Sequence, residues 1–176
     1  MAIKTALLIG TPSLREVSSP IIPEDFGSAW LLELIQDLHD SQEHYGGVGI
    51  AAPQIGVNRR VILFGFEHTE RYKNVDPVPR TVLCNPEIQI IDPTEMTMYE
   101  GCLSLGNLRG PVSRPIEIVY SGFDQFGNKI SRQVKNFHAR LVQHEVDHIN
   151  GILAVDRVKD NRLLGFRQEL IAAGII

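Results

Sequence analysis

The chain has 176 residues, 43% hydrophobic and 22% charged, with a formal net charge of −4 and a pI near 5.8. This is the composition of a globular protein, and it excludes disordered, collagenous and coiled-coil chains. The length predicts a single domain over residues 1–176 with room for a sizeable core. The charge offers no basic field for nucleic acid. No apolar run approaches the ~18 residues of a membrane span, and the opening Met1–Gly10 does not read as a secretory leader. With two cysteines, Cys84 and Cys102, and no need of a disulfide, a reducing compartment, the cytoplasm, is expected.

Pro12, Pro20 and Pro23 make residues 1–22 an extended, looping arm. From Glu24 to His44, Trp30, Leu31, Leu34, Ile35 and Leu38 recur at helical spacing, and Gly46-Gly47 ends the helix. Residues 59–66 read as a strand by their β-branched and aromatic content, followed by a polar loop to Pro79 with a turn at Asp76-Pro77. Residues 81–84 and 87–91 read as two strands separated by Asn85-Pro86. Residues 116–123 and 129–134 form a hairpin around Asp124–Asn128. A second helix runs from Ala139 to Asn150 with Gly151 beyond it. A third places Leu163, Leu164, Leu170 and Ile171 on one face, with Gly174 after it. Strands cluster mid-chain without strict alternation with helices, so the class is α+β.

The most specific segment is His144-Glu145-Val146-Asp147-His148. Positions four apart on a helix differ by only ~40°, so both imidazoles leave one face and can hold one ion. Glu145 lies ~60° from His148, within reach of a water on that ion. It falls among Leu141, Val142, Val146 and Ile149, where a carboxylate needs a reason. Asp147 is expected to orient a ligand ring. A catalytic site wants a third ligand. His138 points away, ~240° round the helix from His144, and His39, His44 and His68 read as surface residues. Cys84 sits in an apolar run and reads as a small buried hydrophobe. Cys102, with Gly101 before it and Gly106 beyond, is a soft donor on backbone that a ligand can approach. Cys102 is therefore favoured over an acid such as Glu100, with the choice open.

Gly46-Gly47-Val48-Gly49-Ile50-Ala51-Ala52-Pro53-Gln54-Ile55-Gly56 is the other unusual stretch. It lacks the Gly-Lys-Ser/Thr of a phosphate loop and has no strand before it. Small residues in extended backbone offer a surface along which another main chain can lie. Gln54 supplies a neutral amide suited to a developing oxyanion.

Together, Gly47–Gln54, Glu100-Gly101-Cys102-Leu103-Ser104 and His144–His148 resemble, in order, the signature motifs of the peptide deformylases, and weaker similarity covers nearly the whole chain. The resemblance implies an α+β fold of mostly antiparallel sheets packed around a central metal-binding helix. It implies Cys102, His144 and His148 as metal ligands, Fe²⁺ as the native ion, and zinc, nickel or cobalt as substitutes. It implies hydrolysis of the N-terminal formyl group of formyl-methionyl polypeptides. Glu145 would move protons, Gln54 and the Leu103 N–H would hold the oxyanion, and Gly49 would pair with the substrate main chain. Val48, Leu141 and Phe137 would receive the methionine side chain. Glu100 and Arg114 would form an ion pair supporting the Cys102 loop. N-formylmethionyl peptides are then the partner, with the ribosome exit region as a place of encounter. Lys159, Arg162 and Arg167 read as a solvated face, and neither nucleic acid nor membrane is an expected partner. The family often carries a proline shortly after Cys-Leu-Ser, where this chain has Leu105-Gly106-Asn107.

Overall fold

The computed structural model describes residues 3–68 and 75–176. Its elements are α1 (Ala29–His44), β1 (Gly49–Ala51), β2 (Val61–Phe66), β3 (Val78–Gly101), β4 (Leu108–Phe123), β5 (Lys129–Lys135), α2 (Asn136–Ile149), β6 (Gly165–Phe166) and α3 (Arg167–Ala172). The strands form one antiparallel sheet in the order β1-β2-β3-β4-β5, and β6 pairs with β4. The α+β class therefore stands. The expected plurality of sheets around a central helix becomes one sheet, with α2 laid against β1 to β5.

β2 is buried at every position because helices cover both its faces. Ile62, Phe64 and Phe66 face α2 in a core with Ile118, Tyr120, Val142 and Ile149. Val61 and Leu63 face α1 in a second core with Leu31, Leu34, Ile35, Leu38, Ile50 and Cys84. Burying an aliphatic side chain of this size contributes about 1.5–3 kcal/mol, so these two cores fix the β1–β2 ribbon on which the site is built.

Several boundaries differ from the expectation, each for a local reason. α1 starts at Ala29 rather than Glu24. Pro23–Asp25 is a 3₁₀ turn, Gly27 sits at φ +72°, and Ser28 caps the helix by accepting the Leu31 N–H. Trp30 is on the outer side of α1 beneath the Arg59 guanidinium. The strand does not break at Asn85-Pro86. Asn85 at φ +50° forms a bulge where the register shifts between Cys84 and Glu87, and its side chain bonds both the N–H and the carbonyl of Ile21 at 2.8 Å. α2 starts three residues early. No loop separates it from β5, and Asn136 at φ +53° makes the corner, a conformation that asparagine tolerates. Leu163 belongs to a 3₁₀ turn and Leu164 follows it, so α3 buries only Leu170. The hairpin around Asp124–Asn128 is present, with Asp124 accepting from the Phe126 and Asn128 N–H groups. The arm is irregular as expected. Of the polar loop, residues 69–74 lie outside the described residues, and no helix of the described residues is long and apolar enough to cross a membrane.

Candidate metal centre and active site

Three separate segments meet at one cleft. β1 brings Gly49, and the 3₁₀ turn Ala52–Ile55 that follows brings Gln54. β3 ends at Gly101, so Cys102 stands between it and the turn Leu103–Leu105. α2 contributes Phe137, Arg140, Leu141, His144 and Glu145, whose spacing of three and four keeps them on one helix face. Val48 and Leu103 complete the lining. Val48, Gly49, Gln54, Glu100, Cys102, Leu103, Phe137, Leu141, His144 and Glu145 therefore face one space, while His148, 2% exposed, Asp147 and Arg114 lie behind its wall. His39, His44 and His68 lie apart from it. His138 packs against Phe64 and Tyr120, and burial lowers its pKa to about 4.

The ligand atoms of Cys102, His144 and His148 lie within 4.8 Å of one another, and Cys102 Sγ is 3.2 Å from His148 Nε2. A tetrahedral ion bound at the usual distances to sulfur and nitrogen keeps its ligand atoms roughly 3.3–3.8 Å apart, so small side-chain shifts would seat one. Glu100 accepts from His144 Nδ1 at 2.9 Å, which leaves Nε2 of that ring toward the cleft. The donor set fits a divalent cation of the softer kind.

The charges behind the cluster form a buried chain. Arg114 donates Nε and Nη2 to the two oxygens of Glu100 at 2.7 and 2.9 Å, and Nη1 to Asp147 at 2.8 Å. Arg140 also donates to Glu100, and Arg157 to Asp147, both at 2.5 Å. The expected Glu100–Arg114 pair is present, but Asp147 orients no ligand ring. Arg114 reaches it from β4, and Glu100 takes the ring-orienting place instead. Burial opposes ionisation of Glu100, but the hydrogen bonds and charges of His144 and Arg114 hold it well below the usual carboxylate range. Burial likewise opposes a Cys102 thiolate, and the His148 charge with hydrogen bonds from both histidines brings the thiol well below its ordinary value. His144 is raised in turn by its bonds to Cys102 and Glu100, despite burial. A proton thus competes with a cation for this site. Cys84 behaves as expected of a buried hydrophobe, its thiol pushed up to about 12 by burial.

Glu145 is 3% exposed, and its Oε2 has no hydrogen-bond partner. Burial raises its carboxyl to about 7 against the pull of both histidines. A Cβ at position 49 would overlap this carboxylate, so any larger residue on β1 would have to push Glu145 out of its place. Gln54 is aligned from three sides. Its Oε1 accepts the Ala51 N–H at 2.9 Å, while Nε2 is 3.2 Å from Ser104 Oγ and 3.5 Å from Cys102 Sγ. The Leu103 N–H stands at the first position of its turn, where no intrahelical acceptor exists. Arg140 and the partnership of the Ser104 hydroxyl with Gln54 go beyond the sequence expectation. Arg140 was legible as the residue one turn before His144 on the cleft face, whereas nothing local marks the Ser104 hydroxyl as a partner of Gln54.

Residues 3–163 match the family model for polypeptide deformylases. Peptide deformylase 1 of Bordetella pertussis is 43% identical over 168 residues, covering 96% of this chain and 94% of that protein. Peptide deformylase 2 of Pseudomonas syringae pv. tomato is 44% identical over 164 residues, covering 93% and 92%. The crystal structure of a class I type b peptide deformylase from Acinetobacter baumannii bound to Met-Ala-Ser superposes with a TM-score of 0.86 at 33% identity, covering 89% of this chain and 99% of that one. With a matched family model spanning almost all of its length and a cleft that unites the three motifs, this chain belongs to the polypeptide deformylases, metal-dependent hydrolases that release the formyl group from the N-terminus of new polypeptides.

Proposed function

We propose that residues 1–176 act as one catalytic domain whose cleft binds the formyl-methionyl end of a polypeptide along β1, with Cys102, His144 and His148 as the metal ligands. The observation that carries this reading is the Glu145 carboxylate, buried with one oxygen unpartnered, beside three convergent ligand atoms and facing Gln54 in the same cleft. A carboxylate held in this way serves no structural purpose, whereas a proton carrier for amide hydrolysis needs that position.

When bound, a divalent cation supplies Lewis acidity and brings its water toward a pKa of ~7. The protein's own groups do the rest. Among the described residues the outer edge of β1 pairs with no strand, so the substrate backbone adds beside Gly49 as another strand. Val48, Phe137 and Leu141 hold the methionine side chain and keep water from it. Glu145 takes a proton from the attacking water at its free oxygen and delivers it to the leaving amine nitrogen. Gln54 Nε2–H and the Leu103 N–H hold the oxygen that gains charge, each worth ~3 kcal/mol. Glu100, fixed by Arg114 and Arg140, keeps the His144 ring oriented.

One thiolate and two imidazoles suit Fe²⁺ or Zn²⁺, and we take Fe²⁺ as the native ion with zinc or another divalent metal as substitute. The formylated ends of new chains place the enzyme in the cytoplasm, where it meets them near the ribosome exit region. The test is formate release from a formyl-Met-Ala-Ser peptide by protein purified without oxygen, with metal analysis of the same sample. Cleavage of internal peptide bonds in place of formate release would make the chain a metalloprotease and refute the proposal. Exposure to air should inactivate an iron-loaded sample with added oxygen on Cys102, and spare a zinc-loaded one. An iron form stable in air with Cys102 unmodified would overturn the metal assignment.

A further inference from the structure

We infer that the arm segment Leu7–Ile9 is a positioning element for the oxyanion pocket, setting the distance between the Gln54 amide and the Leu103 N–H; this rests on the oxyanion roles proposed above. The Leu7 N–H donates to the Gln54 carbonyl at 2.8 Å, and the Ile9 N–H donates to the Ser104 carbonyl at 2.8 Å. The two turns that carry the donors come from distant parts of the chain, and each is gripped through its main chain by one N–H of the arm. The two donors are only two residues apart, and the Thr11 N–H donates to the Leu8 carbonyl at 3.0 Å, so the segment enters a closed turn at Ile9 and leaves little slack between the two grips. The arm therefore acts as a ruler between the turns.

The circuit closes on itself. Gln54 Nε2 bonds Ser104 Oγ at 3.2 Å, so the Gln54 turn and the Ser104 turn are tied once through side chains and once through the arm. Apolar burial anchors only Leu7, which is half-buried, and not the two residues after it. Leu8 is 55% and Ile9 46% exposed. Its near end is fixed by polar bonds as well. The Lys4 N–H donates to Ser41 Oγ at 3.0 Å, and the Ala6 N–H to the Tyr45 hydroxyl at 3.2 Å. Two exposed aliphatic residues held in register by their backbone alone indicate that the backbone bonds are what the arm supplies.

The test uses the full-length, metal-loaded enzyme. Ile9→Pro deletes the N–H that grips Ser104. A glycine inserted between Leu8 and Ile9 keeps every side chain but moves the Ile9 N–H one residue further from the Leu7 grip, out of register with the Ser104 carbonyl. Ile9→Ala keeps the N–H and serves as control. The first two variants should lose about tenfold in kcat on a formyl-Met tripeptide, less than the ~10²–10³ of a deleted oxyanion donor. KM should stay within twofold and metal content should not change. Affinity for a phosphonate analogue of the tetrahedral intermediate should fall by the same factor as kcat, with binding of the deformylated product peptide unchanged. Ile9→Ala should match the parent. Unchanged kcat in both variants overturns the inference, as does a loss shared between kcat, KM and metal. If neither variant can be recovered folded with its metal, the arm is a folding element and the inference is also overturned. Gln54→Ala run in parallel separates the two levels. Wild-type kcat there refutes the oxyanion reading itself, whereas a loss there with none in the arm variants refutes only the ruler.

Discussion

Glu145→Gln separates the chemistry of this carboxylate from its effect on stability. Burial, the largest influence, moves the carboxyl from an ordinary 4.5 to about 7, although both histidines pull it down. At 1.36 kcal/mol per pH unit, the ionised group destabilises the metal-free fold by about 3 kcal/mol. The sign follows from the raised value. Below pH 4.5 the acid is protonated in folded and unfolded chains alike, so the penalty is absent. It grows between 4.5 and about 7 and is complete above. Glutamine keeps the shape and removes the charge, while its own unmet N–H takes back ~1 kcal/mol. The net gain of about 2 kcal/mol corresponds to roughly 4–8 °C in Tm for a chain of this size. Metal-free Glu145→Gln protein should therefore melt higher than the parent at pH 8, and slightly lower at pH 4, where only the cost of the unmet N–H remains. With metal bound the gain should shrink, because the cation attracts the carboxylate. The same variant should retain its metal and lose 10²–10⁴-fold in formate release. Scanning calorimetry at the two pH values and a formate assay on metal-quantified samples make the check. Activity near the parent's, or a metal-free variant less stable at pH 8, would refute the reasoning.

Cys102→Ala and His148→Ala should each empty the metal site, since two ligands do not hold the ion against solvent, and elemental analysis after dialysis reads the result. Glu100→Gln should weaken metal affinity by about 10–100-fold in a chelator competition, through loss of the ring-orienting bond to His144 rather than of a ligand. In metal-free protein at pH 7, iodoacetamide should modify Cys102, whose thiol is held low, and leave Cys84, pushed up to about 12, untouched; bound metal should protect Cys102. Peptide mass mapping distinguishes the two cysteines.

Local geometry made part of this site legible in the sequence. His144 and His148 share a helix face because four residues nearly complete a turn, and Glu145 stood out as a charge among apolar neighbours. β2 was readable because both its faces are covered, which leaves an unbroken apolar run. What escaped depends on strand pairing. The register of β3 against β4 shifts at Cys84/Glu87, Ile90/Asp92 and Asp92/Glu95, so no count along the chain tells which β4 residue reaches the end of β3. That residue is Arg114, and its arrival decides the fate of both Glu100 and Asp147. Asp147 therefore looked available for a ligand ring when it is already engaged by two guanidinium groups. The long β3 was read as two strands because Asn85-Pro86 signals a turn, and only the bonds from Asn85 to Ile21 show the bulge instead.

The buried arginine shows how the proposed metal ligands can be brought together from a strand end and a helix that share no sequence proximity. Glu100 lies two residues before Cys102, and Asp147 one residue before His148. Arg114 holds both carboxylates at 2.7–2.9 Å, so one planar cation sets the separation between the thiolate and the imidazole that must meet. Removing such a partner from a buried pair destabilises by about 3–5 kcal/mol, because the remaining charges are left without water. A hydrophobic replacement of Arg114 would leave Glu100 and Asp147 facing each other's charge behind the ligands. Lysine could satisfy only part of the fork, and would keep the charge while loosening the geometry. The three proposed ligands and the ion network behind them are thus one structural unit, in which the arginine on β4 ties the two acids that flank Cys102 and His148.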